Sequence, residues 1–456
     1  MRVNILTASP ARLVIATSIP AILGQLVVGL YSFFDLFFVG RMVGVEALTA
    51  VSTASPFIML NNAVAVLGGC GAASIVSRAL GSGDEQEAND VFKNMLALVI
   101  GLTAVLIIFV ECCAEWLIGF SGAEGSIAES GTMYLRLIFE GSFFINISQS
   151  MNMVIRSTGK MGKAMLITSI GAILNILLDP VLIYFLPWNG VLSAALATLI
   201  SQFVQFIITL CFVYHSEPFH VRIKGNGISK VSLHVIARIC FIGLSGMLMQ
   251  LLMFFRALYL YRSVSMCGTD IDLAVMGASQ RVMDIVFVIV WGISQAVTPL
   301  VGINLGAGKY DRVNSFLKWF FIYSTSACIL TEFVVCVFSK HILSLFIDDS
   351  DICIYGEPLL RIMYAGYFTY GMVLILITYL QTGGMPVKAL VYTALWQIGL
   401  LIPCTLLLPF LVKSSNIMWI CIPVSDILAA VIFCPAVSEL FKNHGDGPCG
   451  FFVEKI

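Results

Sequence analysis

Twelve stretches of predominantly apolar residues run along this chain, at about 12–38, 46–73, 91–113, 131–154, 163–186, 190–214, 236–262, 272–300, 316–338, 352–380, 387–411 and 416–440. Each reaches the roughly 20 residues that a helix needs to cross a bilayer. None alternates apolar and polar residues in the way a membrane barrel strand does. The pattern predicts an all-α membrane protein of twelve transmembrane helices. Hydrophobic residues make up 59% of the 456-residue chain and charged ones 11%, against roughly 25% charged in ordinary soluble domains. Mean hydropathy is +0.97. A soluble core has no use for so much apolar surface, so the remainder is expected to face a lipid bilayer.

Charge and cysteine add little beyond exclusions. The net charge is −1, without a basic tail or charged run, and gives no reason to expect a nucleic-acid partner. The 13 cysteines are scattered without the spacing of a metal site, and are expected to pack as small apolar residues. The first apolar run follows Arg2 and Arg12, is longer than the core of a signal peptide and lacks a small-residue cleavage site, so it is expected to stay as helix 1.

Twelve spans place both termini on one side. With the N-terminus inside, external loops hold Arg41, Arg262, Lys340 and Lys413, and spans hold Arg136, Arg256, Arg281 and Arg361. The other 17 of the 25 basic residues fall in cytoplasmic segments, Arg156, Lys160 and Lys163 among them. Basic residues concentrate on the cytoplasmic side, so a multi-pass protein of the cell's inner membrane with both termini cytoplasmic is expected.

The two halves repeat. Leu80-Gly81-Ser82-Gly83 after helix 2 recurs as Leu305-Gly306-Ala307-Gly308 after helix 8. Arg156-Ser157-Thr158-Gly159 with Lys163-Ala164 recurs as Gln381-Thr382-Gly383-Gly384 with Lys388-Ala389. Gln25 in helix 1 corresponds to Gln250 in helix 7. Every pair is offset by 225 positions, as 83 and 308 show. Six helices per half bring both halves in from the same side, so the repeat is parallel. The expected layout is a six-helix lobe over 1–214, a cytoplasmic linker over 215–235, a second six-helix lobe over 236–440 and a cytoplasmic tail over 441–456. Two lobes flanking a cleft suit alternating access.

Charges inside a bilayer cost about 2.5–3.5 kcal/mol each on insertion scales. The spans nevertheless keep Asp35, Glu140, Asp179, Arg256, Arg281, Asp284, Glu332, Arg361 and Asp426. By their position along each span all nine would lie in the outer half, which suggests a water-filled cavity opening outward. Snorkelling to the interface accounts for Glu332 and Arg361 near span ends; Asp35 and Asp179 are too short for that. Asn175 and Asp179 are four apart and share a helix face. A carboxyl group withdrawn from water favours its neutral form, so such a pair is a candidate proton or cation site. Pro20 lacks the N–H for a hydrogen bond to the Ala16 carbonyl and predicts a hinge on the rod that carries Asp35. Arg256 and Asp284 are expected to pair between helices 7 and 8; Asp426 has no partner legible in the sequence.

These residues resemble the multidrug and toxic compound extrusion (MATE) transporters over nearly the whole chain. Helix 1, IPAILGQLVVGLYSFFDLFFVGRMVGVEALTAV, carries the family's proline, its Tyr31-x-x-x-Asp35 and its V-G-x-x-G pattern. SRALGSGD and VGINLGAGKYDR are the matching loops of the two halves, and NILLDPVLIYFLPWNGVLSAALATLISQ carries N-x-x-x-D-P. The resemblance implies an antiporter that expels organic compounds against protons or sodium. It carries a cation site onto Asp35, Asn152, Asn175, Asp179 and Thr198, and a bending proline onto Pro20; Asn152 and Thr198 rest on the resemblance alone. The helix 7 glutamate and the helix 10–11 aspartate of one sodium-coupled branch are absent, and Trp396-Gln397 stands where related sequences often have arginine. The chain looks more like the DNA-damage-inducible branch.

The function expected is secondary export of amphipathic, often cationic, organic compounds in exchange for protons. Coupling to sodium held at Asp35 and Asp179 is one alternative. A flippase for a lipid-linked or amphiphilic precursor is another, kept open by Arg256 and Arg281. An enzyme would need a nucleophile–base pair, a metal motif or a phosphate loop; no H-E-x-x-H or G-x-S-x-G occurs, and the short turns at 81–83 and 306–308 are not phosphate cradles. No organic cofactor is expected, and a monomer is.

Overall fold

A computed structural model describes residues 2–186, 190–215, 231–347, 349–411 and 416–442. All regular elements among these residues are helical. A short helix, Arg2–Thr7, leads into α1 (Pro10–Phe38), α2 (Val45–Ser82), α3 (Glu85–Phe120), α4 (Gly125–Ser157), α5 (Met161–Phe185) and α6 (Gly190–Tyr214). The second half follows the same plan: α7 (Leu233–Cys267), α8 (Asp270–Gln295, running on as Val297–Gly306), α9 (Tyr310–Val337), α10 (Ser350–Tyr364 and Phe368–Thr382), α11 (Pro386–Ala394 and Leu401–Leu411) and α12 (Ile417–Lys442).

Among the described residues, ten helices are long and apolar enough to span a membrane, and eleven if the two arms of α10, bent by 42°, form one span. The remaining rod of the expected twelve is α4, long enough at 33 residues but carrying Asn146, Gln149, Asn152 and Arg156. Its polar stripe faces protein, so it does not need the apolarity of a lipid-facing helix.

The repeat is visible in the backbone. Helices α2 and α4 are followed by Gly83 (φ +88°) and Gly159 (φ +85°), and their repeat partners Gly308 (φ +68°) and Gly384 (φ +76°) lie 225 positions on. These left-handed turns favour glycine because a Cβ would crowd the following carbonyl. The LGSG and LGAG matches are thus helix terminators. After Gly83, the Asp84 carboxylate accepts from the Glu87 N–H at 2.8 Å and starts α3.

The chain divides into two compact units, one of Leu23–Met247 and one of Arg2–Ile22 with Leu248–Ile456. The divisions fall inside α1, just after Pro20, and inside α7. Of the expected linker 215–235, residues 216–230 lie outside the described residues, as do 443–456 of the expected tail 441–456. In the first unit α4 is central, packed on α2, α3 and α6, and Phe92, Met95, Ile147, Met151 and Val154 fill the core between them. The first part of α7 crosses α2 at close range: a Cβ on Gly71 would strike the Ile239 carbonyl, and one on Gly243 the Leu67 carbonyl. Small residues at such a crossing let two backbones touch, which replaces the hydrophobic drive that lipid does not supply. In the second unit, α8 meets α1 at Gly292, where a Cβ would stand 2.8 Å from the Ile22 Cα. Arg312 ties down the N-terminal segment by donating to the Ile5 and Ala8 carbonyls at 2.9 and 2.7 Å.

Helix α1 continues through Pro20. At its far end Val39–Val43 form a π-helical turn before Gly44.

Candidate functional site

The first unit contains a cavity of about 190 Å³ into which many polar side chains project. Four helices line it, each with one stripe at helical spacing. Gln25, Val28 and Tyr31 come from α1; Ile145, Gln149, Asn152 and Arg156 from α4; Met165, Thr168, Ala172 and Asn175 from α5; Thr198, Ser201, Gln202 and Gln205 from α6. The α5 stripe runs from Met165 to Asn175, ten steps or about 15 Å at 1.5 Å per residue, so the cavity is elongated along the bundle.

At one end lies the acidic cluster. Asp179 is completely buried and Asn175 nearly so, at 2% exposure. With its amide oriented to suit both neighbours, Asn175 donates to Asp179 Oδ2 at 3.1 Å and accepts from the Thr198 N–H and hydroxyl, each at 3.2 Å. Tyr31 is within hydrogen-bonding reach of Thr198 and close enough to Asp35 and Asp179 to feel both charges. Asp35 and Asp179 also interact electrostatically. Among the described residues, no lysine or arginine forms an ion pair with either. Two nearby carboxylates with no basic partner among the described residues cannot both ionise cheaply.

The structure therefore brings Asp35, Tyr31, Asn175, Asp179 and Thr198 together. Asn152 shares the cavity, but its amide donates to the Ala164 carbonyl at 2.8 Å and to Thr168 at 3.2 Å, fastening α4 to the start of α5. Gln25 lines the cavity. Its repeat mate Gln250 does not line the corresponding cavity of the second unit, which is about 70 Å³.

In the second unit the expected Arg256–Asp284 pair does not form. Arg256 instead binds both carboxylate oxygens of Asp426, at 2.9 and 3.0 Å, and donates to the Trp396 carbonyl at 3.2 Å. Trp396 Nε1 donates to Asp426 at 3.0 Å. Arg256 is 6% and Asp426 2% exposed. Trp396 sits in a π-helical turn, Leu395–Gly399, whose widened hydrogen-bond pattern frees carbonyls for outside donors. Asp426 thus has the partner the sequence left unnamed, and Asp284 lines the smaller cavity beside Gln280 and Tyr370. The other intramembrane charges divide by role. Glu332 accepts from the Phe368 N–H at 2.9 Å at the break in α10, Arg361 holds the Cys336 carbonyl, and Glu140 and Arg281 are exposed.

The sequence gives no sign of the amide contacts of the first unit: buried Asn146 donates to Asn61 at 2.7 Å and to Thr103 at 3.1 Å, and part-buried Gln149 to Asn62 at 2.7 Å. Read from the sequence, Arg156 falls among the loop charges, whereas the residue is 8% exposed and lines the cavity. The signal for its placement was available in the 146, 149, 152, 156 spacing on one face of α4.

Helices of this length and apolarity, a doubled six-helix plan and an acid cluster inside one bundle define a polytopic membrane transporter. The profile of the MatE family matches residues 20–181 and again 246–407, and the chain belongs to that family. The two matches start 226 positions apart (246 less 20), one residue from the repeat offset. The multidrug export protein MepA of Staphylococcus aureus strain MSSA476 is 26% identical over 412 residues, 88% of each chain. The FAD transporter of Shewanella oneidensis is 24% identical over 444 residues, 94% of this chain and 95% of its own. Among solved structures, an outward-facing multidrug resistance MATE transporter superposes with a TM-score of 0.89 at 24% identity, covering 96% of this chain and 98% of that one. A MATE structure in complex with MaD3S gives 0.88 at 24%, covering 96% and 99%. At that identity the structures establish the shared fold.

Proposed function

We propose that the chain is a proton-coupled antiporter that exports amphipathic organic compounds by alternating access, with Asp35 and Asp179 as the proton carriers. The observation that carries this reading is the buried Asp179, bonded to Asn175 and lacking any basic partner among the described residues. A carboxyl group in that setting can take up and release a proton without disturbing an ion pair. Loading then shifts the transporter's equilibrium by the difference in proton affinity between its states. Tyr31, Asn175 and Thr198 fix the carboxyl groups, and Asn152 keeps α4 and α5 in register beside them. Pro20 allows α1, which carries Asp35, to bend between states. Multidrug export by the MepA relative supports small organic substrates. The excess of basic residues in the segments read as cytoplasmic supports an inner-membrane protein with both termini inside. A single chain contains the whole candidate site, in keeping with a monomer.

The same oxygens could hold sodium, and the test separates the two ions. Purified protein in proteoliposomes is given a pH gradient and ethidium, first without and then with sodium. Proton coupling predicts uptake driven by pH alone, reduced at least tenfold by Asp35→Asn or Asp179→Asn. Uptake that requires sodium assigns the site to that ion. Normal transport by both variants makes the carboxyl groups structural and brings the flippase reading forward.

A further inference from the structure

The end of the cavity opposite the acid cluster is built around one arginine. Arg156 stands in the last turn of α4 and is 92% buried, being 8% exposed. Among the described residues its Nε has no hydrogen-bond partner and the guanidinium forms no ion pair. Among the described residues no aspartate or glutamate lines the cavity. The carbonyls around it already accept hydrogen bonds: the Val154 and Ile155 carbonyls receive the Ser157 and Thr158 hydroxyls at 2.8 Å each, and the Arg156 carbonyl receives the Gly159 N–H at 2.9 Å. Lys160 and Lys163 lie over the Phe212 ring at this end, which adds positive potential. A guanidinium carries five donors and keeps its charge in proteins, and burying it unpaired costs several kcal/mol.

We infer that the Arg156 end of this cavity is a seat for one small anionic group, either the carboxylate or phosphate of an organic substrate or a free ion of that size. Planar guanidinium donors suit carboxylate and phosphate in particular. The cavity, at about 190 Å³, is smaller than the roughly 300–1,000 Å³ of a drug-sized pocket, so it takes a group and not a whole drug. This deepens the export reading by adding compounds with an anionic group to the substrate class; it rests on that reading only for the step from binding to transport.

The test is binding by the full-length protein in detergent, in a zwitterionic buffer at low salt so that no background anion competes for the seat. Sodium formate, sodium phosphate and sodium 1-naphthoate are titrated calorimetrically. The expected result is saturable binding, weakened at least tenfold in Arg156→Gln and only a few-fold in Arg156→Lys. Ala172→Leu fills the cavity from α5 and keeps the arginine; it is expected to weaken binding as well, and it decides the matter if Arg156→Gln does not fold. Competition between naphthoate and formate assigns the seat to a substrate group, and binding of formate and phosphate without naphthoate assigns it to a free ion. Absence of saturable binding, or equal affinity in wild type and the variants, overturns the proposal. Arg156-dependent binding in a protein that fails to transport ethidium leaves the seat standing and removes the export reading.

Discussion

At the scale of single residues, the two units use charge in opposite ways. Arg256 and Asp426 neutralise each other in a buried, hydrogen-bonded pair, while Asp179 has no basic partner among the described residues. Removing one member of a buried pair strands the other, at a cost of about 3–5 kcal/mol. Asp426→Ala is therefore expected to destabilise the protein by that amount in denaturant unfolding, and Arg256→Met with Asp426→Leu is expected to recover most of it. Asp179→Asn, which creates no stranded charge, is expected to leave stability within about 1 kcal/mol of wild type. A stable Asp426→Ala would mean that the pair contributes nothing. The same contrast shows what the sequence could reveal. Asn175 and Asp179 were legible because four residues along a helix fixes a shared face. The partner of Arg256 was not, because Asp426 lies 170 positions away and the nearer Asp284 competes for the assignment on sequence distance alone.

At the scale of elements, the helix ends were legible and the helix irregularities were not. LGSG and LGAG are short motifs whose glycines are needed for a left-handed turn, so the sequence announces them. The π-helical turns at Val39–Val43 and Leu395–Gly399 answer to packing and carry no local signature. Helix α4 was legible by length, while its polar stripe marked the cavity wall and was read only in part. Two predictions belong to this scale. Gly83→Val and Gly308→Val place a branched residue in a left-handed turn, and each is expected to cost about 1–2 kcal/mol in thermal unfolding, the pair adding because the turns are distant. Gly243→Val is expected to cost more than Gly101→Val, since a Cβ at Gly243 strikes the Leu67 carbonyl whereas one at Gly101 meets open space. Equal effects would sink the account of α2 and α7 as a backbone-to-backbone crossing.

At the scale of the whole molecule, having two carboxyl groups in one cluster bears on the energy available for export. A unit of pH difference supplies about 1.4 kcal/mol per proton, and 100 mV supplies about 2.3 kcal/mol per charge moved. One proton exchanged for one monovalent cation moves no net charge, so the limiting gradient per pH unit is about tenfold. If Asp35 and Asp179 each deliver a proton, one net charge crosses per cycle and a potential of 100 mV raises the limiting ethidium gradient by a further ~50-fold. Proteoliposomes clamped with valinomycin and potassium at fixed pH difference distinguish the cases. The proximity of the two groups makes their proton binding anticooperative, so a single carried proton, and an ethidium gradient indifferent to voltage, is the expected outcome for the wild type. Asp35→Asn then removes a competing charge and should keep the exchange electroneutral if any transport survives. A voltage-dependent gradient in the wild type would instead mean that both carboxyl groups load, and that the lobe transition relieves their repulsion by separating them.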